Sequence, residues 1–231
     1  MQAIIDSIQR SAQATQPTLY SLPISAEECD TYLTASFVAE IGTADIDEPT
    51  RNRLHLIARW LVNDVKSRKP SLLLYGGKGL GKTCAVRAMA RMLSAIKEVK
   101  VAEGKRDYWK LSKEQRNLHE WWQALPLLTI ESTAKIVELY EKYQEGFKKI
   151  MTAPLLVIDD LGIEPPKVLI FGTERTPLID IIHYRYDKKM PTIITTNLDE
   201  KGIATLYGDR VEDRLKEMCN KIEFMGKSYR K

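Results

Sequence analysis

Eight consecutive residues, Gly76-Gly77-Lys78-Gly79-Leu80-Gly81-Lys82-Thr83, match the pattern G-x-x-x-x-G-K-[ST] at every fixed position. Residues of these types at this spacing can grip a triphosphate. The glycines let the backbone turn until successive N–H groups point inward at a phosphate. Lys82 then reaches the β- and γ-phosphates, and the Thr83 hydroxyl is a ligand for Mg²⁺. Cys84 comes next, in the helix whose positive end faces the anion. A second constellation is Leu155-Leu156-Val157-Ile158-Asp159-Asp160, four apolar residues ending in two carboxylates. At the C-terminal end of a parallel strand such acids lie in the crevice where α/β sheets bind ligands. Asp159 is expected to hold Mg²⁺ through its water shell, and Asp160 to orient or deprotonate an attacking water. The competing reading, strand-end solubility, leaves the nearby phosphate loop without a metal partner.

Two further groups are weaker alone. Asn197, after Thr195-Thr196, has an amide that can bond a γ-phosphate or a lytic water, though an Asn there is often a turn residue. Arg210 and Arg214 are four apart, on one helical face. They fit a solvated face with Glu212, Asp213 and Glu217 as ion partners, or an arginine finger reaching a neighbouring subunit's nucleotide.

These residues need a scaffold to hold them. Leu72-Leu73-Leu74-Tyr75, between Pro70 and Gly76, reads as a buried parallel strand leading into the loop. A helix is expected over Cys84 to Ile96, strands over Leu127 to Ile130, Leu155 to Ile158 and Thr192 to Thr196, and a last strand over Lys221 to Phe224. Helical spacing also marks Leu54 to Val65, Ile136 to Ile150, Leu178 to Ile182, and Val211 to Met218. Strands alternating with helices predict an α/β fold with a mainly parallel sheet. Residues 1–48 lack a strong period and read as a flexible or partner-binding segment, with a short helix or two possible between Ile24 and Ile41. Residues 49–231 then form the main domain, with residues 97–126 as a poorly periodic insertion.

Length and composition narrow the class. The chain has 231 residues, 44% hydrophobic and 29% charged, which suits one globular domain. A net charge of +4 permits a nucleic-acid partner without arguing for one. The three cysteines, Cys29, Cys84 and Cys219, are scattered and form no C-x-x-C pair, so neither a disulfide framework nor a zinc site is expected. No apolar run is long enough to cross a bilayer, and a soluble, cytoplasmic protein without a membrane partner is the expectation.

Taken in order, the motifs resemble the AAA+ ATPases of the DnaC/DnaI helicase-loader and IstB transposition-helper group. The resemblance rests on the loop ending Gly81-Lys82-Thr83, the run Asp159-Asp160-Leu161-Gly162, the strand end Thr195-Thr196-Asn197-Leu198, Gly208-Asp209-Arg210 with Asp213-Arg214, and the closing Ser228-Tyr229-Arg230. It implies a P-loop NTPase fold with a five-stranded parallel sheet between helices, spanning about residue 50 to 231. It also implies hydrolysis of ATP with Mg²⁺, Asn197 as sensor 1, Arg214 as the arginine finger with Arg210 beside it, and Arg230 in the place of a sensor 2. The implied partners are further copies of the chain, single-stranded DNA, and a replicative helicase to be loaded in DNA replication; a transposase is the alternative.

Against the family pattern, the N-terminal segment is short, without zinc-binding cysteines, and the 97–126 insertion is longer than a simple connection. Within it Lys105, Arg106 and Lys110 beside Tyr108 and Trp109 suit single-stranded nucleic acid by charge and stacking. The interleaved Glu103, Asp107 and Glu114 favour instead a solvated excursion whose tryptophans pack on the core. A loop from Pro165-Pro166 to Thr176 reads as a moving or pore-facing element. Outside this group, a nucleotide-gated adaptor with little turnover needs only the metal-side acid. A small-molecule kinase leaves the Thr-Thr-Asn and Gly-Asp-Arg elements unexplained.

Overall fold

The computed structural model describes residues 20–106, 108–164, 167–170, 173–226 and 228–229. Its strands are built from sequences apolar at consecutive positions, which must bury both faces. Leu72, Leu155, Val157 and Ile193 join one buried cluster, while Leu73, Leu156, Ile158 and Ile194 join the other. A sheet covered on both sides is the natural home of parallel strands. Five strands, β1 (Ser71–Gly76), β2 (Thr129–Ser132), β3 (Leu156–Leu161), β6 (Thr192–Thr196) and β7 (Cys219–Phe224), lie in the order β2-β3-β6-β1-β7. Every neighbouring pair is parallel. A separate antiparallel hairpin, β4 (Val168–Ile170) and β5 (Thr173–Arg175), follows β3.

One face of the sheet is covered by α1 (Ala26–Ile41), α2 (Glu48–Leu61), α3 (Lys82–Arg106) and the end of α4 (Lys113–Ala124). The other is covered by α5 (Thr133–Lys142), α6 (Gln144–Met151), α7 (Pro177–Asp187), α8 (Glu200–Tyr207) and α9 (Asp209–Met218). This is the five-stranded parallel α/β architecture that the motifs implied. No helix among the described residues is long and apolar enough to cross a membrane.

Several sequence expectations need correction. From residue 20 onward the N-terminal segment is part of the core. Cys29, Leu33 and Phe37, spaced four apart, are fully buried on one side of α1, which opens with a Ser25/Glu28 capping box and ends at Gly42 in the left-handed region. Residues 1–19 lie outside the described residues. The 97–126 stretch is an ordered helical hairpin: α3 runs 25 residues, about 37 Å at helical rise, and α4 folds back along it. A Cβ at Gly104 would lie 2.0 Å from the ring of His119, so that glycine permits the close approach. Trp122 is buried and Trp121 packs partly on the core, while Trp109 stays in solvent.

The helix expected over 136–150 is two, broken at Tyr143 (φ −142°, ψ 77°), and the break lets Tyr140 and Phe147 meet edge to face at 4.6 Å between centroids. β2 sits two residues later than expected, since Leu125 is the buried residue and Leu127 is exposed. Pro165 and Pro166 lie outside the described residues.

Candidate functional site

Three adjacent strands deliver the chemistry to one edge of the sheet. β1 ends in the glycine loop, β3 in the acid pair and β6 in Asn197, all at C-terminal strand ends. Two glycines in the loop have no substitute. Gly76 has φ +134° and a Cβ there would lie 2.2 Å from the Phe224 carbonyl oxygen of β7. Gly81 has φ +91°, and a Cβ there would meet Phe37 Cζ at 3.2 Å and Tyr229 Cδ2 at 3.4 Å.

The Lys82 side chain is nearly buried and curls back across the loop. Its ammonium donates to Gly76 O at 2.8 Å, Gly77 O at 2.7 Å and Asn197 Oδ1 at 2.9 Å. Thr83 Oγ1 donates to Asp159 Oδ1 at 3.0 Å, and Thr195 Oγ1 donates to the same oxygen at 2.6 Å. The Thr195 hydroxyl also accepts the Asp160 N–H at 2.8 Å, so a single buried threonine positions both acids. Asp160 takes φ +61° at the point where the β3–β6 register shifts between Ile158 and Leu161. The resulting bulge turns it out of the strand and into the wall of the cavity.

That cavity, of about 340 Å³, is lined by Lys78 to Cys84, Asp160, Ile163, Asn197 and Tyr229. Burial raises the Cys84 thiol above its ordinary range, with the Glu40 carboxylate adding to the effect. Tyr229 is held from three sides. Its N–H donates to Gly79 O at 2.8 Å, its hydroxyl donates to Thr50 Oγ1 at 2.9 Å, and its ring meets Phe37 edge to face at 5.8 Å. Beyond the acids, the turn at Gly162 is fixed by Glu164, which accepts from Gly162 N–H at 3.2 Å and from the Tyr207 hydroxyl of α8.

The structure thus brings together the whole loop from Gly76 to Thr83 with Cys84, Asp159, Asp160 and Asn197. Arg210 and Arg214 do not line this cavity. Arg210 is exposed on α9, and Arg214 lies over the Tyr186 ring at 4.7 Å, with Nη2 3.4 Å from Asp187 Oδ1. Arg230 lies outside the described residues. Thr195, Ile163, Tyr229 and Phe37 are the site residues that sequence reasoning missed. Two of them left a trace: Thr195 is one of three threonines in a buried strand, whose hydroxyls must find partners, and Tyr229 stands in the closing Ser228-Tyr229-Arg230 motif.

The donors at the metal position are oxygen only, the Thr83 hydroxyl already in contact with the Asp159 carboxylate. That set fits Mg²⁺, which takes few protein ligands and fills its shell with water and substrate phosphate. Among the described residues no group of three His, Cys, Asp or Glu forms a self-sufficient metal cage.

The fold and this site define a P-loop α/β protein, with a glycine loop between a parallel strand and a helix and acids at the end of a neighbouring strand. Among solved structures, the DnaC helicase loader aligns with a TM-score of 0.53 at 22% identity, covering 83% of this chain and 99% of that one. The structure of DnaI aligns with a TM-score of 0.53 at 20% identity, covering 85% and 93%. The chain therefore has the fold of those two proteins over nearly their full length. No family model matches the chain, and no curated protein matches it.

Proposed function

We propose that this chain hydrolyses ATP and uses the cycle to load a replicative helicase onto single-stranded DNA. The observation that carries the reading is the convergence of Lys82, Thr83, Asp160 and Asn197 on one cavity, with Lys82 bonded to Asn197, Thr83 to Asp159, and both acids held by Thr195. A pure nucleotide binder needs the loop and one acid; the second acid, turned into the cavity by a bulge, supplies a base. The helicase part is supported by the motif series, including Thr-Thr-Asn-Leu and Ser-Tyr-Arg, and by the fold shared with a protein described as a helicase loader.

In the proposed mechanism the loop amides and the Lys82 ammonium hold the β- and γ-phosphates and absorb charge as the γ-phosphoryl group transfers. Asn197 exchanges its bond to Lys82 for one to the γ-phosphate or the attacking water. Asp160 accepts the proton of that water as its oxygen bonds to the γ-phosphorus and the ADP oxygen leaves. Thr83 and Asp159 would hold Mg²⁺, whose chemistry here is to neutralise phosphate charge. Arg214, of a neighbouring copy, completes the charge balance as an arginine finger, with Arg210 beside it.

Because the finger comes from another copy, turnover per chain should rise with protein concentration. Arg214→Ala is expected to abolish that rise while leaving nucleotide affinity unchanged. Equal turnover in monomer and assembly would remove the finger assignment. Co-purification with a replicative helicase, with and without ATP, tests the loading step. Intact ATP turnover without any ATP-dependent helicase complex would sink it.

A further inference from the structure

The helical hairpin of distal α3 and α4 takes no part in the nucleotide cavity, yet its tip concentrates the charge of the molecule. Residues 105–116 contain Lys105, Arg106, Lys110, Lys113 and Arg116 against Asp107 and Glu114, a net +3 in a chain whose total is +4. In the middle of that charge Trp109 is 72% exposed and Tyr108 is 37% exposed. Folding alone gains nothing from an indole left in water at a turn.

The turn that carries it is braced. Arg116 Nε donates to Leu111 O at 3.0 Å, its Nη2 reaches Trp109 O at 3.4 Å, and its guanidinium lies 5.7 Å from the Tyr108 ring centroid. Ser112 opens α4 with a capping box to Gln115. Asp107 lies outside the described residues, and three other neighbouring acids are engaged locally. Glu114 accepts from Ser112 Oγ at 2.9 Å, Glu103 pairs with Lys100 at 3.2 Å, and Glu120 accepts from the Tyr108 hydroxyl at 3.3 Å. Glu103 and Glu114, which interrupt the basic run in sequence, are therefore occupied in the fold, and the ring stands on a preformed turn among cations.

We infer that this tip is a binding site for single-stranded nucleic acid, with Trp109 as the stacking platform for a base and the surrounding lysines and arginines on the flanking phosphates. A single exposed ring face needs an unstacked base, which a duplex does not offer. An acidic protein surface would answer the charge but leave the ring unused. The inference gives the proposed loading reaction a strand contact and rests on that reading only for its setting, since binding at the tip needs no ATP.

The test is fluorescence anisotropy of a labelled thymidine oligonucleotide with the full chain, without nucleotide, across a salt series. The single strand should bind more tightly than a duplex of equal length. Trp109→Ala should weaken it about tenfold, the loss of one stacked base, and Trp109→Phe less. Replacing Lys105 and Arg106 together by Gln should flatten the salt dependence by about 1.4 log units per log unit, roughly 0.7 for each phosphate contact. Unchanged affinity in Trp109→Ala overturns the inference. So does polyglutamate binding as tightly as the strand in a Trp109-dependent way, which would assign the tip to an acidic protein. ATP turnover in the same preparations reports folding and keeps the two ideas apart. A chain that binds the strand through Trp109 but hydrolyses no ATP removes the proposed function alone; one that hydrolyses ATP but binds no strand removes this inference alone.

Discussion

Two buried cations sit at opposite ends of β6 and do different work. Arg185 of α7 is fully enclosed. It donates to Thr192 Oγ1 at 2.7 Å, Met151 O at 3.0 Å, Ala153 O at 2.8 Å and Pro191 O at 2.5 Å, joining the end of α6 to the start of β6. Burial pushes its guanidinium down to about 10, so it stays charged at neutral pH. Lys82, just beyond the other end of the strand, is almost as buried and also bonds backbone carbonyls. The difference is in the acceptors. Lys82 shares its ammonium with the Asn197 side-chain amide, which can be exchanged for a ligand, whereas the acceptors of Arg185 are core backbone and one strand hydroxyl. A planar fork with fixed donor directions suits a permanent joint; a point charge on a flexible stem suits a group that must meet a ligand. Burial by itself does not separate a functional cation from a structural one.

Three substitutions press on this contrast. Lys82→Ala should lower ATP turnover by about 10²–10³-fold, by loss of one charge-stabilising donor, with little change in the urea midpoint. Next in size, Arg185→Ala should cost at least about 3 kcal/mol in urea unfolding, because it strands several buried carbonyls. Nucleotide affinity of the chain that remains folded should hold. If Lys82→Ala unfolds the protein while Arg185→Ala leaves it stable, the contrast is inverted. The smallest effect is expected at Thr195→Val, which keeps the shape and removes the hydroxyl between the two acids. Turnover should drop about tenfold, as for other groups that orient a site from behind, and Thr195→Ser should restore it. A Thr195→Val variant with unchanged turnover would mean that the acids hold their places unaided.

The same pair shows what the sequence can reveal. Lys82 was legible because the fixed positions of its motif lie within eight residues, so the pattern can be read without knowing any distant contact. Arg185 left a clue of another kind: Leu178, Ile181 and Ile182 form the buried stripe of α7, and the next position on it, three residues on, is an arginine. Spacing shows that it is buried but not what it joins. Asp159 and Asn197 were legible as strand ends. The bulge that aims Asp160 was not, since it depends on register with β6. The hairpin escaped as an ordered unit because Ala102, Glu103, Lys105 and Arg106 at the far end of α3 are exposed, so no long apolar stripe forms there. Arg214 was found on a helix, but its resting place over Tyr186 belongs to the fold of α7 against α9.

Gly81 carries one more implication. It is flanked by Phe37 and Tyr229, which touch each other and are 229 − 37 = 192 positions apart. Contacts between such distant segments are among the slowest a chain makes, because a large loop must close before they stabilise anything. The rim that encloses a bound nucleotide waits for both segments to arrive, which makes ligand competence one of the last properties the folding molecule acquires.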